Sequence, residues 1–157
     1  MIVVADASPI NYLILIGEIE LLPRLYGSVL IPQRVHVELL RPRAPLAVRT
    51  WASDLPAWCR VAQLGPTTSE LIAELDPGER DAIQLAVDSG IETILMDDQN
   101  GRREAVRLNL RVTGTASILE NAAAHGWINF REAFGRLLST NFRLSSEVRE
   151  DFLRRNP

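Results

Sequence analysis

LDPGERDAIQLAVDSGIETILMDDQNGRR, residues Leu75 to Arg103, reads as a helix feeding a strand that turns at once into a second helix. Pro77 suits a first helical turn, and Glu79 and Asp81 put carboxylates near the positive N-terminal end. Ala82, Ile83, Ala86 and Val87 supply an apolar face at helical spacing, and Gly90 stops the helix. The apolar run Ile91 to Met96 is the signature of a buried strand, and it ends in Asp97 and Asp98. Gln99, Asn100 and Gly101 then turn the chain into an arginine-rich helix. Carboxylates therefore lie at two element ends. In an open parallel sheet, groups just beyond the carboxyl ends of strands converge on one crevice, so a site is to be sought here.

The same grammar extends towards the N-terminus. Ile2 to Ala5 is a continuous apolar run, expected for a strand buried on both faces, and it ends at Asp6. Ser8 and Pro9 predict a helix start, with Ser8 as N-cap and Pro9 at the first helical position. Gly17 breaks that helix, a second amphipathic one runs to Tyr26, and Ser28 to Ile31 predicts the next strand. Pro32 opens PQRVHVELL, a helix that carries Glu38 near its end in apolar surroundings. Leu46 to Asp54 is expected to be helical, an edge strand is expected around Val61, and a helical pattern resumes at Ser69.

Towards the C-terminus, Arg102, Arg103 and Arg107 lie on the helix after Asp98, and Leu110 to Val112 predicts a further strand. Thr113-Gly114-Thr115 caps the helix that contains Ser117 to Ala124. Asn129 and Ser145 start the last two helices. Strands alternating with helices predict an α/β domain, three layers α/β/α around a mainly parallel sheet, because parallel neighbours need crossovers and helices fill them. One domain over residues 1–157 is expected, with the helices of 129–157 packed on it.

Composition narrows the chemistry. With 157 residues, 46% of them hydrophobic, the chain buries a core without disulfides or structural metal. Cys59 is the sole cysteine, and no signal peptide or membrane span is legible near MIVVADASP, so a cytoplasmic protein with no membrane association is expected. The net charge of −3 argues against a generic polyanion-binding surface. All seventeen basic residues are arginine, which excludes Schiff-base chemistry, a P-loop lysine and phosphoaspartate sites that need a lysine. No Gly-rich phosphate loop follows the first strand, which disfavours a nucleotide-binding α/β protein.

What remains is a set of acids drawn from separate elements: Asp6, Glu38, Glu79, Asp81, Asp97 and Asp98. Most helix-end carboxylates are caps or solvated charges. Asp6 and Asp98 are harder to dismiss, because a strand-terminal acid after an apolar run has no local partner. Two or three such groups in one crevice repel unless protonated or bridged by a cation. With no His or Cys in the set, oxygen ligands favour Mg2+ or Mn2+ over zinc. His36 and His125 read as packing or surface residues. Such an ion orients a water, lowers its pKa and stabilises charge on a phosphate, which is phosphodiester hydrolysis.

At these residues the chain resembles the PIN domains, and within them the small VapC-like ribonucleases and related uncharacterised prokaryotic PIN proteins. VVADASP resembles the family's first motif, IPQRVHVELL its second acid-bearing helix, LDPGERDAIQLA its third, and ILMDDQNGRR with LRVTGT its fourth strand and the segment after it. The resemblance implies a metal-dependent endoribonuclease with catalytic Asp6, Glu38, Glu79 and Asp98. Asp6, Glu79, Asp97 and Asp98 are the implied metal ligands, and Ser8 the assisting residue beside the first acid. At the third position the family usually has aspartate; Glu79 keeps the spacing to Ala86 and Gly90, whereas Asp81 needs a shifted alignment. At the fourth, Met96 precedes two acids, and Asp98 is preferred with Asp97 close behind.

The resemblance also implies an RNA substrate, a small antitoxin as partner, and a homodimer. The competing expectation is a PIN-fold binding or interaction module whose site is too altered to cut. Arg103 and Arg107, one turn apart on the helix after the fourth motif, are candidate phosphate contacts, against the plainer reading of a salt-bridged face with Glu104 as partner.

Overall fold

Strand β1 (Ile2–Ala5) lies at the centre of a five-stranded sheet in a computed structural model that describes residues 1–65 and 74–157. Its companions are β2 (Ser28–Pro32), β3 (Cys59–Ala62), β4 (Thr93–Leu95) and β5 (Arg111–Thr113), in the order β3-β2-β1-β4-β5. Every pairing among the described residues is parallel, as the expected parallel sheet requires. Val4 sits beside Leu30 on one side and Ile94 on the other, which is why its run is apolar on both faces. The helical pattern expected from Ser69 lies largely outside the described residues.

Alternation along the strands separates two cores. Val3, Ala5, Val29, Ile31 and Leu95 face one side, and Val4, Ile94 and Met96 face the other. The first side is covered by α1 (Ala7–Leu15), α2 (Leu21–Tyr26), α3 (Gln33–Leu39), α4 (Leu46–Ser53), α7 (Thr115–Ala124), α8 (Phe130–Leu138) and α9 (Ser146–Arg155). The second is covered by α5 (Pro77–Asp88) and α6 (Gln99–Arg107). Helices on both faces of one parallel sheet make the three-layer α/β/α arrangement. The last two helices join the first core through an aromatic cluster, with Phe130 stacked on Phe134 at 4.9 Å and on Phe152 at 6.0 Å between ring centroids. No helix among the described residues is long and apolar enough to cross a membrane.

Strand order positions the site. The chain steps from β1 to β2 to β3 on one side, then returns to the other side of β1 for β4 and β5. The order therefore reverses between β1 and β4, and a crevice opens beyond their carboxyl ends. Asp6 and Asp98 occupy the N-cap positions of the helices that leave these two strands.

One local expectation shifts. Asp6, not Ser8, is the N-cap of α1, and its extended backbone (φ −78°, ψ 170°) starts the helix without a side-chain cap. Ser8 and Pro9 fall inside the first turn. Pro9 is tolerated there because first-turn N–H groups have no acceptor within the helix. The Ser8 hydroxyl is thereby released for a distant partner.

Candidate active site

Asp6, Glu38, Asp76, Glu79, Asp97 and Asp98 line one open crevice of about 500 Å3 at this switch point. Four segments deliver them: the end of β1, α3, the first turn of α5, and the turn after β4. Three of them border Gly78. The point where a side chain there would begin lies 3.5 Å from Asp76 Oδ1, 3.6 Å from Glu38 Oε1 and 3.7 Å from Asp6 Oδ1.

The other three acids are held by named donors. Asp97 Oδ2 accepts from Ser8 Oγ at 2.8 Å and Thr115 Oγ1 at 2.7 Å, while its Oδ1 accepts from the Thr115 N–H at 2.8 Å. Asp98 Oδ2 accepts from the Gly101 N–H at 3.1 Å and so caps α6. Glu79 belongs to a capping box: its N–H donates to Asp76 Oδ1 at 2.8 Å, and its Oε1 accepts from the Asp76 N–H at 3.2 Å. Its Oε2 lies towards Gly101, where a side chain would begin only 3.4 Å away.

Burial and mutual repulsion set the electrostatics. Asp6 is 6% exposed, and desolvation pushes its carboxyl up to about 7; the charges of Asp76, Glu38 and Asp97 add to this, and the Ala7 N–H opposes it. Glu79 is pushed up to about 8, first by burial, then by the Asp76 charge and by Asp98, against the hydrogen bond from the Asp76 backbone. Glu38 is raised by burial and by Asp76, with Arg41 opposing. Six acids against the single lining arginine, Arg143, leave the crevice short of positive charge.

The donor set fits a hard divalent cation: six carboxylates, no thiol and no imidazole. Among the described residues, no group of three or more His, Cys, Asp or Glu side chains is set up to hold a metal ion as it stands. An open crevice lined by oxygen donors alone suits an ion that keeps part of its water shell, with carboxylates reaching it through water.

The structure brings together Asp6, Ser8, Glu38, Glu79, Asp97 and Asp98. Asp81 does not join them; it faces α3 and pairs with Arg34 at 3.0 Å. Arg103 and Arg107 also stay apart, in a separate pocket with Glu74, Leu75, Asn100 and Glu104, and Arg107 Nε donates to the buried Glu104 at 2.8 Å. Both histidines are accounted for locally, His36 against the Ala52 carbonyl at 2.8 Å and His125 stacked on Trp127.

Sequence reasoning missed three residues: Asp76, Thr115 and Arg143. The signal for Asp76 was present, since Asp76-Pro77-Gly78-Glu79 is an acidic capping box with proline at the first helical position. Thr115 and Arg143 meet the site only through the fold.

The family model described as DUF3368: PIN domain matches residues 2–156. This chain belongs to the PIN domain family. A PilT N-terminus domain protein from the hyperthermophilic archaeon Sulfolobus solfataricus shares the PIN fold, with a TM-score of 0.54 over 92% of this chain and 99% of that one. The two sequences are 12% identical, so the likeness is one of fold. No curated protein matches the chain. The PIN fold is a nuclease fold, and PIN nucleases typically use divalent metals.

Proposed function

We propose that this PIN domain is a Mg2+- or Mn2+-dependent endoribonuclease that hydrolyses RNA phosphodiester bonds. The observation that carries the reading is the gathering of six carboxylates, Asp6, Glu38, Asp76, Glu79, Asp97 and Asp98, in one crevice beyond the carboxyl ends of the central strands. A bound divalent ion supplies a water of lowered pKa and neutralises charge on the reacting phosphate. Asp6, Glu79, Asp97 and Asp98 are the proposed ligands, joined by Asp76, and Glu38 forms the adjoining wall. Ser8 and Thr115 act through Asp97, fixing the direction in which its carboxylate points. Without a cation, Asp6 and Glu79 hold protons up to about pH 7 and 8, and a cation competes with those protons, so metal affinity rises with pH across that range.

The resemblance to the VapC-like group supports a finer proposal: a cytoplasmic toxin that forms a homodimer and pairs with a small antitoxin. A second reading, a PIN-fold binding module that no longer cuts, draws on the acids already committed to structure. Glu79 serves a capping box, Asp97 accepts three hydrogen bonds and Asp98 caps a helix. Incubating the protein with a mixed RNA pool in manganese, in magnesium and in chelator separates the two. Metal-dependent cleavage that Asp6→Asn abolishes is the expected result, and a wild type inert in both metals supports the binding module instead.

A further inference from the structure

Beside the acidic crevice lies a second hollow of about 600 Å3, bounded by α6, the start of α7, the 139–145 connection and α9. The two are continuous, because Asp97, Gln99, Phe142 and Arg143 line both. Where the first is acidic, the second contains three arginines, Arg102, Arg143 and Arg155. We infer that this hollow is a binding subsite for single-stranded RNA, taking the phosphate and nucleotide next to the one being cut. The assignment rests on the nuclease reading above for its orientation and not for its chemistry.

Charge is the first argument. Arg155 is held by Glu120 at 3.1 Å, and Asp151, which also lines the hollow, pairs with Arg154. Arg102 and Arg143 form no ion pair among the described residues. Both are braced by backbone carbonyls instead: Arg143 Nη1 donates to Phe142 O at 3.0 Å and Thr140 O at 3.2 Å, and Arg102 Nη1 approaches Met96 O at 3.5 Å. A guanidinium has five N–H donors, so each fork is positioned with donors to spare for a phosphate. Gly114 makes room for one of them, since a side chain there would begin 2.6 Å from Arg102 Nη1.

Shape is the second argument. Leu144 and Val148 add apolar lining to the hollow, and Val148 is 40% exposed, an apolar surface suited to a base or ribose, while Arg155 lies over the buried Phe152 ring at 4.7 Å. The volume falls in the range of small-ligand sites and suits one unstacked nucleotide. A base held in a duplex stack does not enter such a hollow, so the ligand is single-stranded.

The test is binding of a labelled mixed-sequence octaribonucleotide in EDTA, by anisotropy over a salt series. Arg102→Gln with Arg143→Gln should weaken binding at least tenfold and flatten the log–log salt slope by about 1.4, since each lost phosphate contact removes about 0.7. Arg102→Lys with Arg143→Lys should keep the slope, and Arg103→Gln, in the separate pocket, should leave affinity unchanged. Ser117→Glu adds a negative charge to the hollow without removing an arginine, and should weaken binding even if the glutamine pair fails to fold. An unchanged slope in the glutamine pair, or equal weakening on an RNA duplex, overturns the proposal. Because nothing is cut, the claims separate. A wild type that cleaves in manganese while its binding ignores these variants keeps the nuclease and loses the subsite. One that never cleaves but shows the slope change keeps the subsite alone.

Discussion

Asp6 and Glu79 carry protons in the native protein up to about pH 7 and 8, whereas free carboxyls lose them near 3.8 and 4.5. Between those limits the native state binds more protons than the unfolded chain, so unfolding free energy falls as pH rises. The stability these two acids contribute is complete below about pH 4 and is lost by about pH 8. Chemical denaturation in EDTA at pH 5 and pH 8 should show this fall, and added magnesium should restore more stability at pH 8 than at pH 5. Asp6→Asn removes one crowded charge and should stabilise the metal-free protein at pH 8 by about 1–3 kcal/mol while abolishing cleavage. Loss of the fold in that variant would show Asp6 to be structural.

Helix ends decide which acids reach the crevice. Glu79 and Asp81 are two residues apart, about 200° around a helix, so only one can face the site, and spacing along the chain does not say which. Packing does: Asp81 turns to Arg34 on α3, and Glu79 turns inward. The same rotation explains the arginines of α6. Asp98 caps that helix, Arg102 follows it by one turn and lines the second hollow, and Arg103 and Arg107 fall on the neighbouring face with Glu104. Element positions were legible because proline, glycine and apolar runs mark them locally, as Pro77, Gly90 and the run before Asp97 do. The facing of a side chain was not, since it depends on which neighbouring helix packs alongside. At this scale the capping box offers a clean separation of charge from structure. Asp76→Asn keeps an N-cap acceptor and should lower the pKa of Glu79 with little change in stability, whereas Asp76→Ala should cost about 1 kcal/mol. NMR titration of Glu79 and urea unfolding read the two effects, and equal stability losses in both variants would contradict the assignment.

Across the whole molecule, the crevice is where three separate parts of the chain are fastened to one another. Asp97 follows β4, Ser8 belongs to the first turn after β1, and Thr115 opens the helix after β5, so a single carboxylate ties together the carboxyl ends of three strands. Thr115 is fully buried, and without Asp97 its N–H and hydroxyl lose these partners. Asp6, by contrast, is an acid whose burial opposes its charge. The two therefore have opposite signs in the metal-free protein. Asp97→Ala should destabilise by about 2–3 kcal/mol in EDTA at pH 8, the cost of leaving buried donors unsatisfied, under the same conditions in which Asp6→Asn stabilises. Ser8→Ala and Thr115→Val should each cost about 1 kcal/mol, and their double-mutant cycle should be non-additive because both hydroxyls donate to the same oxygen, Asp97 Oδ2. Urea midpoints for the four variants and the double mutant give every term. If Asp97→Ala shifted the midpoint upward as Asp6→Asn does, Asp97 would be another crowded charge relieved by removal, and the fastening of the three strand ends would have to come from elsewhere.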